Sequence, residues 1–173
     1  MKKVFFLFTF ILIMGCDKEN IGFESLPPAT QTGARTLGCL VDGKAFIHKG
    51  NVMNCYYQFI DGEHFFGIQG RNNDENPISI TLGTYNKAIV EGETYQLLES
   101  VPDNAWGGSL FETTQTSGEV ANTNSEFSGE LTITKLDFIN NIVSGTFWFD
   151  LAHPLTGETV EITQGRFDSI FTQ

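Results

Sequence analysis

The chain has 173 residues, with 21 acidic and 10 basic side chains and a formal net charge of −11. A chain this acidic repels phosphate backbones and anionic headgroups, which argues against a nucleic-acid partner and against a basic membrane-binding face. Its length suits one domain, able to bury about two thirds of its unfolded surface without a structural metal.

The first residues are the most informative. Met1-Lys2-Lys3 is a short positive start, Val4 to Met14 is an apolar run, and Ile13-Met14-Gly15-Cys16 closes it. This order is that of a secretory signal. The run is too short to cross a bilayer of roughly 30 Å as a helix. The cysteine directly after Gly15 resembles the lipobox of bacterial lipoproteins, cut before a cysteine that is then diacylated, as with palmitate. The expectation is a signal peptide over residues 1–15, lipidation at Cys16, and a place in the cell envelope at the outer membrane. Loss of Lys2 and Lys3 with the signal takes the net charge from −11 to −13.

Residues 16–36 read as a lipid-anchored flexible tether. Asp17-Lys18-Glu19-Asn20 is charged, and Pro27-Pro28 and Thr30-Gln31-Thr32-Gly33 offer no periodic apolar face. Asp17 and Glu19 resemble the acidic signal that sends some lipoproteins to the outer face of the outer membrane, and they suit a plain solvated linker equally.

From residue 37 to 173 the pattern is one of strands. Leu37 to Val41 and Lys44 to His48 flank Asp42-Gly43, a strong hairpin signal that pairs Val41 with Lys44, Leu40 with Ala45 and Cys39 with Phe46. Cys55 to Ile60 and Glu63 to Gln69 flank a second Asp-Gly, Asp61-Gly62. Ile78 to Leu82 and Thr94 to Leu98 alternate. Ser109 to Thr114 pairs with Glu119 to Ala121, Glu130 to Phe138 with Ile142 to Leu151 around Asn140-Asn141, and Val160 to Thr163 and Arg166 to Phe171 complete the chain. No segment after the signal sustains helical spacing. The expected fold is all-β, a single antiparallel β-sandwich or small β-barrel.

Candidate chemistry is sparse. Cys39 and Cys55 are an even pair outside the cytoplasm, which predicts a disulfide worth about 3 kcal/mol in the chain-entropy model; two buried thiols are the alternative. His48, His64 and His153 are not clustered with them, and no nucleophile elbow or zincin pair is present. Asn72-Asn73-Asp74-Glu75-Asn76 carries oxygen ligands without the calcium-loop order. No catalytic residue, metal site or cofactor is assigned. Trp106-Gly107-Gly108 reads as a loop, and an exposed indole there would stack on a sugar or on a partner's apolar patch, which makes Trp106 the candidate contact residue; an indole folded back onto the core is the alternative.

Three stretches together, Pro27-Pro28-Ala29-Thr30-Gln31-Thr32-Gly33, Gly38-Cys39-Leu40-Val41-Asp42-Gly43-Lys44 and Ile162-Thr163-Gln164-Gly165-Arg166-Phe167-Asp168, resemble a family of small Bacteroidota lipoproteins known only as a domain of unknown function. The resemblance implies an envelope location and single-domain anatomy and carries no activity. The expected function is a non-catalytic binding or scaffolding β-domain, held to the membrane by its lipid and contacting a protein or glycan outside the cell. The rivals are a small barrel carrying an apolar ligand and an envelope hydrolase with an unrecognised carboxylate site.

Overall fold

The computed structural model describes residues 26–50, 53–73, 77–114 and 117–173. The expected signal peptide, Cys16 and the first part of the expected tether lie outside the described residues, as do residues 74–76 of the Asn-rich loop.

All described regular structure is β: β1 Thr36–Val41, β2 Lys44–Ile47, β3 Asn54–Ile60, β4 Glu63–Arg71, β5 Ile78–Thr84, β6 Thr94–Leu97, β7 Ala105–Thr114, β8 Ser117–Asn122, β9 Gly129–Asp137, β10 Ile142–Ala152 and β11 Thr159–Ile170. They form one large sheet in the order β2-β1-β11-β10-β9-β6-β7-β5-β4-β3, with β8 on β7. The turns set the local pairings. Asp42, Asp61 and Asn141 all take positive φ, as tight hairpins demand, and Val41 pairs with Lys44, Ile60 with Glu63 and Ile142 with Asp137. One pair departs from the antiparallel pattern: β6 lies parallel to β7, joined at Leu97 and Ala105.

Segments that follow β11 and β2 bond to the far end of the sheet. Tyr57 N donates to Thr172 O at 2.9 Å and Thr172 N to Cys55 O at 3.0 Å, joining the tail of β11 to β3; Lys49 N donates to Arg71 O at 2.9 Å. The concave face is packed with aromatic and aliphatic side chains. Phe46, Phe66, Phe149 and Phe167 are buried among Leu37, Ile68, Leu82, Leu131 and Ile133. Burial of each such side chain contributes about 1.5–3 kcal/mol. Glycines let the rings close up: a Cβ on Gly165 would stand 2.4 Å from the Phe147 ring.

Cys39 and Cys55 are free thiols in this core, which corrects the expected disulfide. Cys39 lies opposite Phe46 on β2, whereas Cys55 on β3 is hydrogen-bonded to Ser169 of β11. Each is thus a small buried hydrophobe with its own neighbours. Burial pushes both thiols up, Cys55 to about 12 with the Ser169 bond acting in the opposite direction.

The segment read as tether is in fact docked from Leu26 onward. Leu26 is buried, Pro27 covers Gly38, and Gln31 Nε2 donates to Thr134 O at 3.1 Å. Its anchor is Asp168, only 1% exposed. One carboxylate oxygen accepts from Thr30 Oγ1 at 2.7 Å, Thr32 N at 2.9 Å and Ala34 N at 3.1 Å; the other accepts from Gly33 N at 2.8 Å and Ser144 Oγ at 2.9 Å. Two of the stretches that carry the family resemblance are therefore the two halves of one clamp. Nothing periodic marks such a contact in the sequence, because it is made by hydrogen bonds and not by an apolar face.

Candidate functional site

Trp106 is not in a loop. It sits in β7, half-buried, in register with Gly83 of β5. Gly107 and Gly108, the signal for a flexible turn, are strand residues because neighbours occupy the room a side chain would need. A Cβ on Gly107 would lie 3.0 Å from the Phe149 ring, and one on Gly108 would lie 2.4 Å from Asn122 Oδ1.

The register builds an ordered surface around this indole. One cross-strand row on the convex face runs Tyr56–Gly67–Gly83–Trp106. The aromatic side chains at its ends lean inward over the glycines. A Cβ on Gly67 would meet the Tyr56 ring at 2.4 Å, and one on Gly83 would meet the indole at 3.0 Å. Two residues along each strand, a second row runs Asn54–Gln69–Thr81–Gly108–Asn122. A third, Arg71–Ser79–Leu110–Val120, ends in an apolar edge.

Between these rows lies a groove in two connected parts. One, of about 120 Å³, is lined by Asn54, Tyr56, Gln69, Thr81 and Trp106; the other, of about 340 Å³, runs from Trp106 past Gln69 to Val120 and Asn122. Gln69 Nε2 donates to Thr81 Oγ1 at 3.2 Å. Asn54, Tyr56, Trp106 and Asn122 bring further side-chain donors and acceptors to the groove wall. On the far side of the aromatic row, Phe65 and Tyr85 meet in a tilted pair, 5.5 Å between ring centres, and extend the apolar surface.

A larger hollow of about 450 Å³ lies elsewhere on the convex face, lined by Glu130, Thr146, Trp148, Arg166 and Ala29 of the docked segment. Its polar groups already serve one another. Trp148 Nε1 donates to Glu130 Oε2 at 3.3 Å, Gln96 Nε2 to Glu130 Oε1 at 3.0 Å, and Arg166 Nη2 to Gln164 O at 3.2 Å. The pattern of β10 placed Trp148 on the polar face, yet adjacency to Glu130 and Arg166 depends on register across three strands.

The histidines stay apart. His48 Nδ1 accepts from Arg71 N at 3.0 Å, His64 lies tilted against Phe59 at 4.6 Å, and His153 tilted against Phe111 at 4.7 Å. Among the described residues no group of three His, Cys, Asp or Glu side chains is placed to hold a metal ion. Of the turn carboxylates, Asp42 is tied down, its Oδ1 accepting from Glu161 N at 2.9 Å.

A protein-family model described as a domain of unknown function (DUF6252) matches residues 53–170. The match runs from the start of β3 to the end of β11. It takes in all three rows and Asp168, and leaves out β1, β2 and the Thr30 side of the clamp. No curated protein and no solved structure matches the chain.

Proposed function

The chain belongs to that family of unknown function, and we propose that it is a lipid-anchored lipoprotein of the cell envelope whose β-domain binds a ligand, without turning it over, in the groove at Trp106. One observation carries the reading: the row Tyr56–Gly67–Gly83–Trp106, in which two aromatic side chains cover two glycines beside the amides of Asn54, Gln69 and Asn122. The lining consists of aromatic rings, amides, hydroxyls, glycines and the aliphatic side chains of Ile68, Leu110 and Val120, groups that hold and orient a ligand. The anchor rests on Lys2-Lys3, the apolar run and Gly15-Cys16. In this reading residues 17–25, about 30 Å when extended, would span the gap between the membrane and the domain.

Two measurements test this. Cys16→Ser should leave unprocessed precursor without fatty-acid label, and normal labelling would overturn the anchor. A photo-crosslinking residue in place of Trp106 on intact cells should form an adduct that the same residue at Ile139, 92% exposed on a turn, does not form. Equal adducts at both positions would overturn the groove as the contact site.

A further inference from the structure

The groove's chemistry narrows its ligand. Every side chain named as lining it is uncharged, in a chain of net charge −11. Arg71, at the head of the third row, is taken up by Glu112, with Nε on Oε1 at 2.5 Å and Nη2 on Oε2 at 2.7 Å. A charged ligand would lose hydration here and gain no counter-charge. A wholly apolar ligand would strip water from Asn54, Gln69 and Asn122 without replacing its hydrogen bonds. A peptide strand has no backbone to pair with, because the groove lies on a sheet face whose amides are already in ladders. A sugar chain meets all three conditions. It is neutral, its ring faces are apolar, and its edges carry hydroxyls.

The spacing agrees. Successive residues of the polar row lie one strand apart, about 4.8 Å, close to the length of a single pyranose unit. Four such steps from Asn54 to Asn122 give about 19 Å, room for several rings in a line. The indole nitrogen of Trp106 and the hydroxyl of Tyr56 lie over Gly83 and Gly67, 3.0 Å and 2.5 Å from where a Cβ would stand, and bring polar edges to the groove.

We infer that this groove binds a neutral oligosaccharide laid across the strands, stacked on Trp106 and hydrogen-bonded by Asn54, Gln69 and Asn122. The inference rests on the contact reading of the same groove. The test uses the full-length chain in detergent with Trp148→Phe, so that Trp106 is the one remaining indole. Its indole N–H resonance is followed while neutral hexasaccharides of glucose, mannose, xylose or galactose are added, with a galacturonate hexasaccharide as the charged comparison. The expected result is a saturable shift with a neutral hexasaccharide, insensitive to added salt, and weakened about tenfold by Gln69→Ala or Asn122→Ala. Both of these residues are exposed, and dispersion of the amide spectrum reports their folding. A response to galacturonate alone, a response lost in salt, or one indifferent to Gln69 and Asn122 would overturn the assignment. The same resonance, followed with the polysaccharide and protein fractions of the envelope, separates the two claims. Movement by the protein fraction alone overturns the sugar and leaves the contact reading standing; movement by neither overturns both.

Discussion

Thr30 and Asp168 stand 138 positions apart in the chain and 2.7 Å apart in the fold, hydroxyl to carboxylate. That bond, with the backbone N–H groups of Thr32, Gly33 and Ala34, turns a proline-flanked polar stretch into a strap across β11 and β10.

Removing the charge should release the strap. In Asp168→Asn an amide N–H₂ would face donors, and several charge-assisted bonds would be lost. Each is worth about 1.5–3 kcal/mol, so a net destabilisation of about 3 kcal/mol is expected in denaturant unfolding. Protease cleavage between residues 26 and 36 should accelerate in parallel. Unchanged stability and unchanged cleavage would show that the strap is held by Pro27 and Leu26 instead.

The same carboxylate sets an acid limit. Burial pushes the Asp168 carboxyl up, but the Thr30 hydroxyl and the N–H groups of Thr32, Ala34 and Gly33 outweigh it and hold the group at about 2, against an ordinary 3.8. A depressed folded value means that the unfolded chain takes up the proton first as acid is added. The stabilisation is therefore full above about pH 5 and is lost as pH falls from about 4 to about 2. It amounts to about 2 kcal/mol. Subtracting the unfolding curve of Asp168→Asn, measured at each pH, should isolate that slope; parallel pH profiles for the two proteins would contradict it.

Both core thiols should be silent in the native state. Burial raises Cys39 and Cys55 far above neutral pH, so little thiolate is present to attack a reagent. Iodoacetamide should label neither in buffer and both in denaturant without any reductant. A requirement for reductant would reveal a bridge.

Crowding and backbone strain should separate at two glycines. Gly165→Ala places a methyl 2.4 Å from the Phe147 ring in the core, and about 2–3 kcal/mol of destabilisation is expected. Gly43→Ala meets nothing within 4 Å but keeps φ at 75°, so about 1 kcal/mol should be lost through the backbone alone. Urea midpoints of the two variants give the comparison, and a reversed order would show that the Phe147 ring has room to retreat.

What the sequence determined by itself is local. Asp42-Gly43, Asp61-Gly62 and Asn140-Asn141 impose tight turns through a few torsion angles, and the alternation beside them assigns one strand face to the core. The all-β class and the register of the Asp42-Gly43 hairpin follow from that, because residues within a few positions interact whatever the rest of the chain does. What only the tertiary structure decided is set by pairings between strands distant in sequence. Gly107 and Gly108 read as a loop because backbone freedom is their only local property; Phe149 and Asn122 make them a strand. Trp106 acquires a platform and a row of amides because β4, β5, β7 and β8 lie side by side in a particular register. Cys39 and Cys55, an even pair in composition, remain thiols because each has its own packing partners. The strap needs a carboxylate at Asp168 buried in just the place that Thr30 to Ala34 can reach, and no period or turn signal in either stretch records that the other is near.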